Sequence, residues 1–132
     1  MKTELEVEKS TIINNASAFK LGNNILDRWK CSLIQKYSIL GIPKSSYHRY
    51  LEDPHSISLS NEQLERLSYI TNIHQTLRVV FSNAENTYDF MKMENHNPYF
   101  NGRTPLSIID KGSLDALYEV FKWIDSMKKG LW

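Results

Sequence analysis

The chain has 132 residues, of which 41% are hydrophobic, and it carries a formal net charge of +1 and one cysteine. This size suits one domain or two very small ones with a core that needs no disulfide, and a single cysteine excludes an intrachain bridge. The N-terminal stretch contains Glu4, Glu6 and Glu8 where a signal peptide is basic and then apolar, and no later run is apolar enough to span a bilayer, so we expect a cytoplasmic protein with no membrane partner.

The positive charge is concentrated in one segment. Between Arg28 and Tyr50 the chain has five Lys or Arg residues and no Asp or Glu, although the chain as a whole is nearly neutral. Such a segment is typical of a surface that faces phosphate groups, and it also occurs on ordinary solvated faces. Charge by itself leaves both interpretations open.

Short helices are predicted in the first part of the chain. Residues 1–20 are polar with no sustained period, which indicates a flexible arm or a marginal first helix. Helical spacing then predicts two short helices before Gly41 and Pro43, from two apolar groups: Ile25, Leu26 and Trp29, then Leu33, Ile34, Tyr37 and Leu40. A third helix is predicted from about Lys44 to Glu52.

A short helix, a turn containing glycine and a second short helix form the pattern of a DNA-binding helix-turn-helix. Its buried side would consist of apolar residues from both helices and the turn: Leu33, Ile34, Tyr37, Leu40, Ile42, Tyr47, Tyr50 and Leu51. The remaining side would offer groups that contact phosphate or base edges: Lys44, Ser45, Ser46, His48 and Arg49. The alternative is an ordinary helical hairpin with a solvated face.

A long helix is predicted after a loop at residues 53–58. Ser60 and Gln63 have the spacing of a capping box at its start. Intervals of three and four then predict one buried face as far as about residue 81: Leu64, Leu67, Ile70, His74, Leu77 and Phe81. Within that face His74 is expected to be a hydrogen-bonded core or interface histidine rather than a metal ligand.

Further helices are predicted in the last third of the chain. A shorter helix precedes a loop at residues 96–106, in which Thr104 caps a new helix that starts at Pro105. The last helix is predicted from Ser113 to Lys129 with Gly130 as its left-handed cap, and its apolar face consists of Leu114, Leu117, Tyr118, Phe121, Ile124 and Met127. No β-alternation occurs, so the fold class is all-α, with a helix-turn-helix bundle followed by a small helical domain.

No catalytic or metal site is indicated. The four histidines form no His-x-x-x-His pair, and Cys31 has no second cysteine to complete a zinc half-site. Glu85 and Asp89 lie one helical turn apart without a catalytic partner, and no Gly-rich phosphate loop occurs. We therefore expect no catalytic residues, no metal, no cofactor and no enzymatic activity.

The segment Gly130-Leu131-Trp132 departs from the usual pattern after a helix. If Gly130 is the first residue past the helix, the residue three positions inside it is Ser126, so Leu131 lacks the apolar partner that usually accompanies such a cap. One interpretation is a projecting anchor for a protein partner, with an indole flanked by lysines. The other is that Leu131 and Trp132 pack beneath Trp123 or Met127.

The order of these segments resembles the Xre/MbcA/ParS antitoxins, which are the partners of RES-domain toxins. The resemblance covers roughly residues 24–132 and rests on the capped helix with Glu65 and Arg66, on the loop from Asn97-Pro98 to Arg103-Thr104-Pro105-Leu106, and on the Gly-led last helix. Phe90 stands where the family often has tryptophan, and Pro43 where the recognition helix commonly opens with serine.

The resemblance implies an antitoxin of a type II toxin-antitoxin system that blocks the active-site cleft of a RES-type, NAD-consuming or ADP-ribosylating toxin and represses its own operon. It implies a homodimer within a hetero-oligomeric complex, with operator DNA and the cognate toxin as partners. Residues 1–20 would be the flexible arm or marginal helix, 21–81 the DNA-binding and dimerisation region and 82–132 the toxin-binding domain. The toxin-binding residues would be Arg103, Lys128, Lys129, Gly130, Leu131 and Trp132. A stand-alone helix-turn-helix regulator is the alternative.

Overall fold

The computed structural model describes residues 4–130, with side chains from residue 15 onward. No strand occurs in this part of the chain, which confirms the all-α prediction. Its α-helices are α1 Glu4–Arg28, α2 Leu33–Leu40, α3 Lys44–Glu52, α4 Asn61–Val80, α5 Ala84–Asp89, α6 Pro105–Ile109 and α7 Leu114–Asp125. Short 3₁₀ turns lie at Pro54–Ser56, Phe90–Lys92 and Ser126–Lys129.

The first helix is longer than the sequence indicated. From Glu4 onward, the segment predicted as an arm or marginal helix belongs to α1, which continues without a break to Arg28. Phe19 and Leu26 are buried in the common core, and Trp29, just beyond the helix, is buried completely. Because this apolar side packs against the rest of the fold, α1 needs no strong sequence propensity to form. The predicted boundary after residue 20 therefore falls inside one helix.

Helix α4 is central to the fold, since α1, α2 and α7 all pack against it. The predicted capping box is present, with the Gln63 amide donating to Ser60 Oγ at 3.1 Å and the Ser60 amide donating to Gln63 Oε1 at 2.9 Å. The predicted stripe is only part of the buried surface, which consists of Arg66, Leu67, Ile70, Ile73, Thr76 and Leu77, whereas Leu64 is 36% exposed. A helix covered on several sides buries more than one stripe.

The predicted buried face of α2 is confirmed at Leu40 and in part at Tyr37, which is half-buried, and is wrong at Leu33 and Ile34. Leu33 and Ile34 are 48% and 75% exposed, and the buried residues are Lys36, Ile39 and Leu40. Lys36 is tolerated inside because its ammonium pairs with Asp27 and donates to the Tyr47 hydroxyl at 3.2 Å. The apolar pattern assigns Lys36 to the exposed side, because lysine is normally solvated. The predicted buried face is therefore rotated by part of a helical turn from the observed one.

The last helices follow the predicted boundaries with one difference. Thr104 Oγ1 accepts from the Ser107 amide at 3.1 Å, so the predicted cap before Pro105 is confirmed. Helix α7 keeps α-helical geometry only to Asp125, and a 3₁₀ turn leads from there to Gly130, whose φ of 67° confirms the left-handed cap. Its fully buried residues are Leu117, Val120 and Ile124, whereas Tyr118, predicted on the apolar face, is 43% exposed.

A buried arginine joins the two halves of the chain. Arg66 Nη1 donates to the carbonyl oxygens of Ser38 and Ile39 at 3.4 and 3.2 Å, and Nη2 donates to that of Gly112 at 2.9 Å. The end of α2 is thereby tied through α4 to the turn before α7. The predicted domain boundary after residue 81 lies just past α4, which contributes to the core on both sides of that boundary.

Candidate functional site

The turn between α2 and α3 is fixed by the backbone of its own residues. Gly41 has a φ of 64°, and its amide donates to the Ser38 carbonyl at 3.3 Å while the Ile42 amide donates to the Tyr37 carbonyl at 3.2 Å. This is the hydrogen-bond pattern of a Schellman motif, which needs a left-handed residue at the position of Gly41. The motif turns the chain sharply, so that α3 starts at Lys44, three residues after the glycine.

Two tyrosines seat α3 on the core. The rings of Tyr47 and Tyr50 contact Phe19 of α1 edge to face, with centroids 5.7 and 5.5 Å apart. The Tyr47 hydroxyl donates to Asn23 Oδ1 at 2.7 Å, and that of Tyr50 donates to the Ser58 carbonyl at 2.8 Å. Both polar ends are therefore satisfied, and the rotation of α3 about its axis is fixed. Leu51, predicted to help seat this helix, is 49% exposed.

The remaining side of α3 carries most of the residues predicted to contact DNA. Lys44, Ser45 and Arg49 are exposed, and Ser46 is half-buried. The Arg49 guanidinium lies over the Tyr50 ring, 5.4 Å from its centroid. His48 differs from the prediction, because it is half-buried and shares a 2.7 Å hydrogen bond with the Tyr37 hydroxyl. It therefore braces α3 against α2 instead of standing on the outer face.

The first turn of α3 is electrically positive and uncapped. Pro43 occupies the N-cap position and provides no side-chain acceptor, and no acidic residue lies in the first turn. The amides at a helix start carry partial positive charge and need acceptors. Lys44 adds a full positive charge at the same end. This end of α3 has the chemistry of an anion contact, with Ser45 and Ser46 as additional hydroxyl donors.

The second group of predicted residues lies around the loop at residues 94–104, which is closed by its own backbone. The Asn95 amide donates to the Arg103 carbonyl at 3.1 Å, and the Gly102 amide donates to the Asn95 carbonyl at 2.7 Å. Asn101 and Gly102 both have positive φ, at 50° and 83°. Phe100 is completely buried and anchors the loop in the core. The loop thus presents a fixed surface.

Arg103 holds this loop and also joins it to α7. Its guanidinium donates to the carbonyl oxygens of Phe100 at 2.9 Å and Tyr99 at 2.6 Å and lies 5.5 Å from the Tyr99 ring centroid. Tyr99 in turn stacks on Trp123 of α7, with centroids 5.9 Å apart. Burial, followed by the charge of Glu119, raises the pKa of Tyr99. Arg103, Tyr99 and Trp123 form a continuous stack, called below the loop stack.

The residues after α7 are described as far as Gly130. Lys128 forms an ion pair of 2.8 Å with Asp125, one helical turn earlier, and Lys129 is exposed. Leu131 and Trp132 lie outside the described residues, so both interpretations of that segment stay predictions. Lys128 and Lys129 follow Trp123 of the loop stack by five and six positions along the chain.

The surroundings of His74 differ from those that the sequence predicts. His74 was expected to be hydrogen-bonded, yet its Nδ1 is buried without a hydrogen-bond partner, and its ring lies parallel to that of Tyr88 at a centroid distance of 6.0 Å. It faces a groove that also contains Arg28 and Arg78. These arginines are 50 residues apart in the sequence, so no local pattern could have brought them together.

The described residues contain no group of three or more His, Cys, Asp and Glu side chains that could hold a metal ion. Burial raises the pKa of the Cys31 thiol to about 11, which keeps it protonated and a poor nucleophile at neutral pH. Among the described helices, none has the length and apolar character needed to cross a membrane.

Comparison with known proteins gives limited information. No protein-family model matches the chain, and no solved structure shows significant similarity to it. A similar sequence is the uncharacterized protein y4oB of Sinorhizobium fredii (strain NBRC 101917 / NGR234), which is 28% identical over 107 residues, covering 80% of this chain and 80% of that protein. No activity can be carried over from that protein.

Proposed function

We propose that this protein is a cytoplasmic antitoxin that binds its own operator DNA through α3 and neutralises a RES-type toxin through the loop stack and residues 128–132. The observation that carries the DNA-binding half is the uncapped, basic start of a helix whose opposite side is locked into the core. The toxin-binding half rests on the resemblance to the Xre/MbcA/ParS antitoxins. It is supported by the rigid loop that carries Arg103.

DNA binding follows from the chemistry of α3. The amides of its first turn, with Lys44 and Ser45, suit backbone phosphates, which position a protein on the duplex. Arg49 lies further along the same helix and can form two parallel hydrogen bonds with guanine in the major groove. Since Tyr47 and Tyr50 fix the rotation of the helix, these groups approach DNA as a preorganised set.

Toxin binding uses a different part of the molecule. Helix α3 packs through its tyrosines on α1 and α2, whereas α7 packs on α4 and α6. The protein can therefore contact DNA and toxin with separate surfaces, as an autorepressing antitoxin must. In this proposal Lys128 to Trp132 cover the toxin's nucleotide cleft, and Arg103 supports the interface at its edge. Homodimers would present two such surfaces within a larger complex.

A stand-alone helix-turn-helix regulator is the second candidate function. It is favoured by the same α2–α3 geometry, which needs no toxin to explain it. The two functions differ in what co-purifies with the protein when the neighbouring reading frame is co-expressed. A stable hetero-complex of defined mass on gel filtration supports the antitoxin, and a homodimer alone supports the regulator.

The DNA-binding half is tested by fluorescence anisotropy with a labelled duplex from the region upstream of the gene, at several salt concentrations. Arg49→Ala is expected to weaken binding by about 1–3 kcal/mol, and Lys44→Ala to weaken it and to reduce the salt slope by about one unit. Lys122→Ala, an exposed lysine of α7, is the matched control. Binding that depends neither on salt nor on Arg49 would contradict this half.

The toxin-binding half is tested by growth rescue and co-purification with the toxin. Trp132→Ala is expected to weaken neutralisation and to leave DNA affinity unchanged, because it alters only the proposed cleft-covering segment. Arg49→Ala serves as the reciprocal control, with lowered DNA affinity and full neutralisation. Full neutralisation by both Trp132→Ala and a variant with Lys128 and Lys129 changed to alanine would exclude the proposed toxin contact.

A further inference from the structure

A polar groove of about 460 Å³ lies where the end of α1, the second half of α4 and the start of α5 meet. Its wall contains Arg28, His74, Arg78 and Tyr88, with Phe81 at one side. This volume lies in the range of small-molecule sites and greatly exceeds that of an inorganic anion. The groove is separate from the α3 surface and from the loop stack, whose residues do not line it.

The groove has a positive charge that nothing in its wall neutralises. It contains two arginines and no Asp or Glu. Within residues 15–130, neither Arg28 nor Arg78 forms an ion pair. The Arg28 guanidinium is held over the Tyr88 ring, 5.1 Å from its centroid, which fixes its position without compensating its charge. Arg78 supplies a second guanidinium group to the same wall, and guanidinium groups suit the oxygens of a phosphate group.

His74 is a second feature of the wall. Its Nδ1 is buried out of reach of solvent and has no hydrogen-bond partner, so the ring forms part of the wall and is not itself a ligand contact. The groups around its ring are Arg78 on α4, Arg28 on α1 and Tyr88 on α5. Burial, followed by the charges of Arg78 and Arg28, lowers the pKa of His74, so the ring is neutral at pH 7. The positive charge of the groove therefore comes from the two arginines alone.

We infer that this groove binds a phosphate ester of about nucleotide size, with the phosphate held by Arg28 and Arg78. The aromatic rings of Tyr88 and Phe81 contact the organic part of the ligand. The site lies against α4, the helix that carries Arg66 and touches α1, α2 and α7. It does not depend on the proposed antitoxin function, because its residues belong to neither the DNA surface nor the loop stack.

Isothermal titration calorimetry with adenosine monophosphate and inorganic phosphate, at matched ionic strength, tests the inference on the full chain. Adenosine monophosphate is expected to bind saturably and more tightly than inorganic phosphate. Arg28→Gln and Arg78→Gln should each weaken its binding by about ten-fold or more, because each removes a charge-assisted hydrogen bond. Lys122→Gln, on α7, is the control for general loss of charge and should leave binding unchanged.

Nuclear magnetic resonance of the His74 ring gives a second measurement. Adding the nucleotide should raise the pKa of His74, since a bound anion stabilises the charged ring. The inference is overturned if no saturable binding occurs, or if Lys122→Gln weakens binding as much as Arg28→Gln. It is also overturned if Arg28→Gln lowers affinity for duplex DNA alone, which would make the groove a contact for the DNA backbone.

Discussion

The guanidinium of Arg66 donates a 2.9 Å hydrogen bond to the carbonyl oxygen of Gly112, 46 residues further along the chain. The same group satisfies two carbonyls at the end of α2. A single buried charge therefore holds the end of α2, the central helix and the turn before α7 in one arrangement. Its Nε lies 3.6 Å from the carboxylate of Glu62, which is mostly solvated, so the arginine is stabilised mainly by carbonyl dipoles.

Arg66→Met is expected to destabilise the fold by about 2–4 kcal/mol, because it leaves buried carbonyl oxygens without donors. Urea denaturation followed by circular dichroism measures the change in the free energy of unfolding. Lys122→Met, at an exposed site on α7, is the matched control and should change stability by no more than about 0.5 kcal/mol. Equal stability of the two variants would show that the Arg66 hydrogen bonds contribute nothing.

Gly41→Ala and Gly130→Ala form a matched pair of substitutions at left-handed residues. Both glycines have φ near 65°, at 64° and 67°, but a Cβ on Gly41 would lie 2.9 Å from Arg66 Nε, whereas a Cβ on Gly130 meets no atom within 4 Å. Each alanine is expected to lower the free energy of unfolding by about 1 kcal/mol, because it must adopt the left-handed conformation. Gly41→Ala should cost at least about 1 kcal/mol more than Gly130→Ala, since it also displaces a held guanidinium. Differential scanning calorimetry would detect the difference.

Two isoleucines of α2 test which face of that helix is buried. Ile39 is 1% exposed and Ile34 is 75% exposed. Ile39→Ala is expected to cost about 2–4 kcal/mol through lost burial and a cavity, and Ile34→Ala about 0.5 kcal/mol or less. Chemical denaturation of both variants gives the comparison. A larger loss of stability for Ile34→Ala would support the buried face that apolar spacing predicts.

Lys36 links stability to alkaline pH. Burial acts against its charged form, but hydrogen bonds with Asp27 and Tyr47 outweigh it and raise the pKa above the ordinary value of 10.5. A raised pKa stabilises the folded state below the unfolded value, and this contribution is lost as pH rises through the folded one. The stability difference between the wild type and Lys36→Met should therefore shrink above pH 10.5. A difference that stays constant from pH 8 to 11 would contradict the assigned ion pair.

His74 makes the stability of the fold depend on pH in the acidic range, where stability falls as the pH falls. Its pKa is lowered in the fold, so the unfolded state binds the proton more readily and the folded state loses stability as pH falls through the ordinary value of 6.5. His74→Gln should lose less stability than the wild type between pH 7.5 and 5.5, as measured by urea denaturation. His55→Gln, at an exposed position, is the control and should follow the wild type.

The sequence predicted those features that depend on local signals. The capping box of Ser60 and Gln63, the Thr104 cap and the glycine turn at Gly41 follow from short-range hydrogen bonding, and all are present. Features set by long-range pairing were missed. Burial of Lys36 requires Asp27 and Tyr47, and burial of Arg66 requires carbonyls that hydropathy cannot detect.

The candidate site also has features that local signals predict and features that only the tertiary fold brings together. Exposure of Lys44, Ser45 and Arg49 follows from the helical period of α3, because the tyrosines fill the opposite side. The inward position of His48 depends on a hydroxyl from a different helix. The groove with Arg28, His74 and Arg78 combines residues from three helices, α1, α4 and α5, and the turn after α4, and only the tertiary fold assembles it.

The attachment of α3 through Tyr47 and Tyr50 has an evolutionary consequence. Positions 44, 45 and 49 are exposed and take no part in the core, so substitutions there change stability little. Natural substitutions at these three positions therefore leave the protein folded. If α3 reads an operator, duplicated copies of this gene can diverge in the DNA sequence that they recognise while the scaffold stays the same.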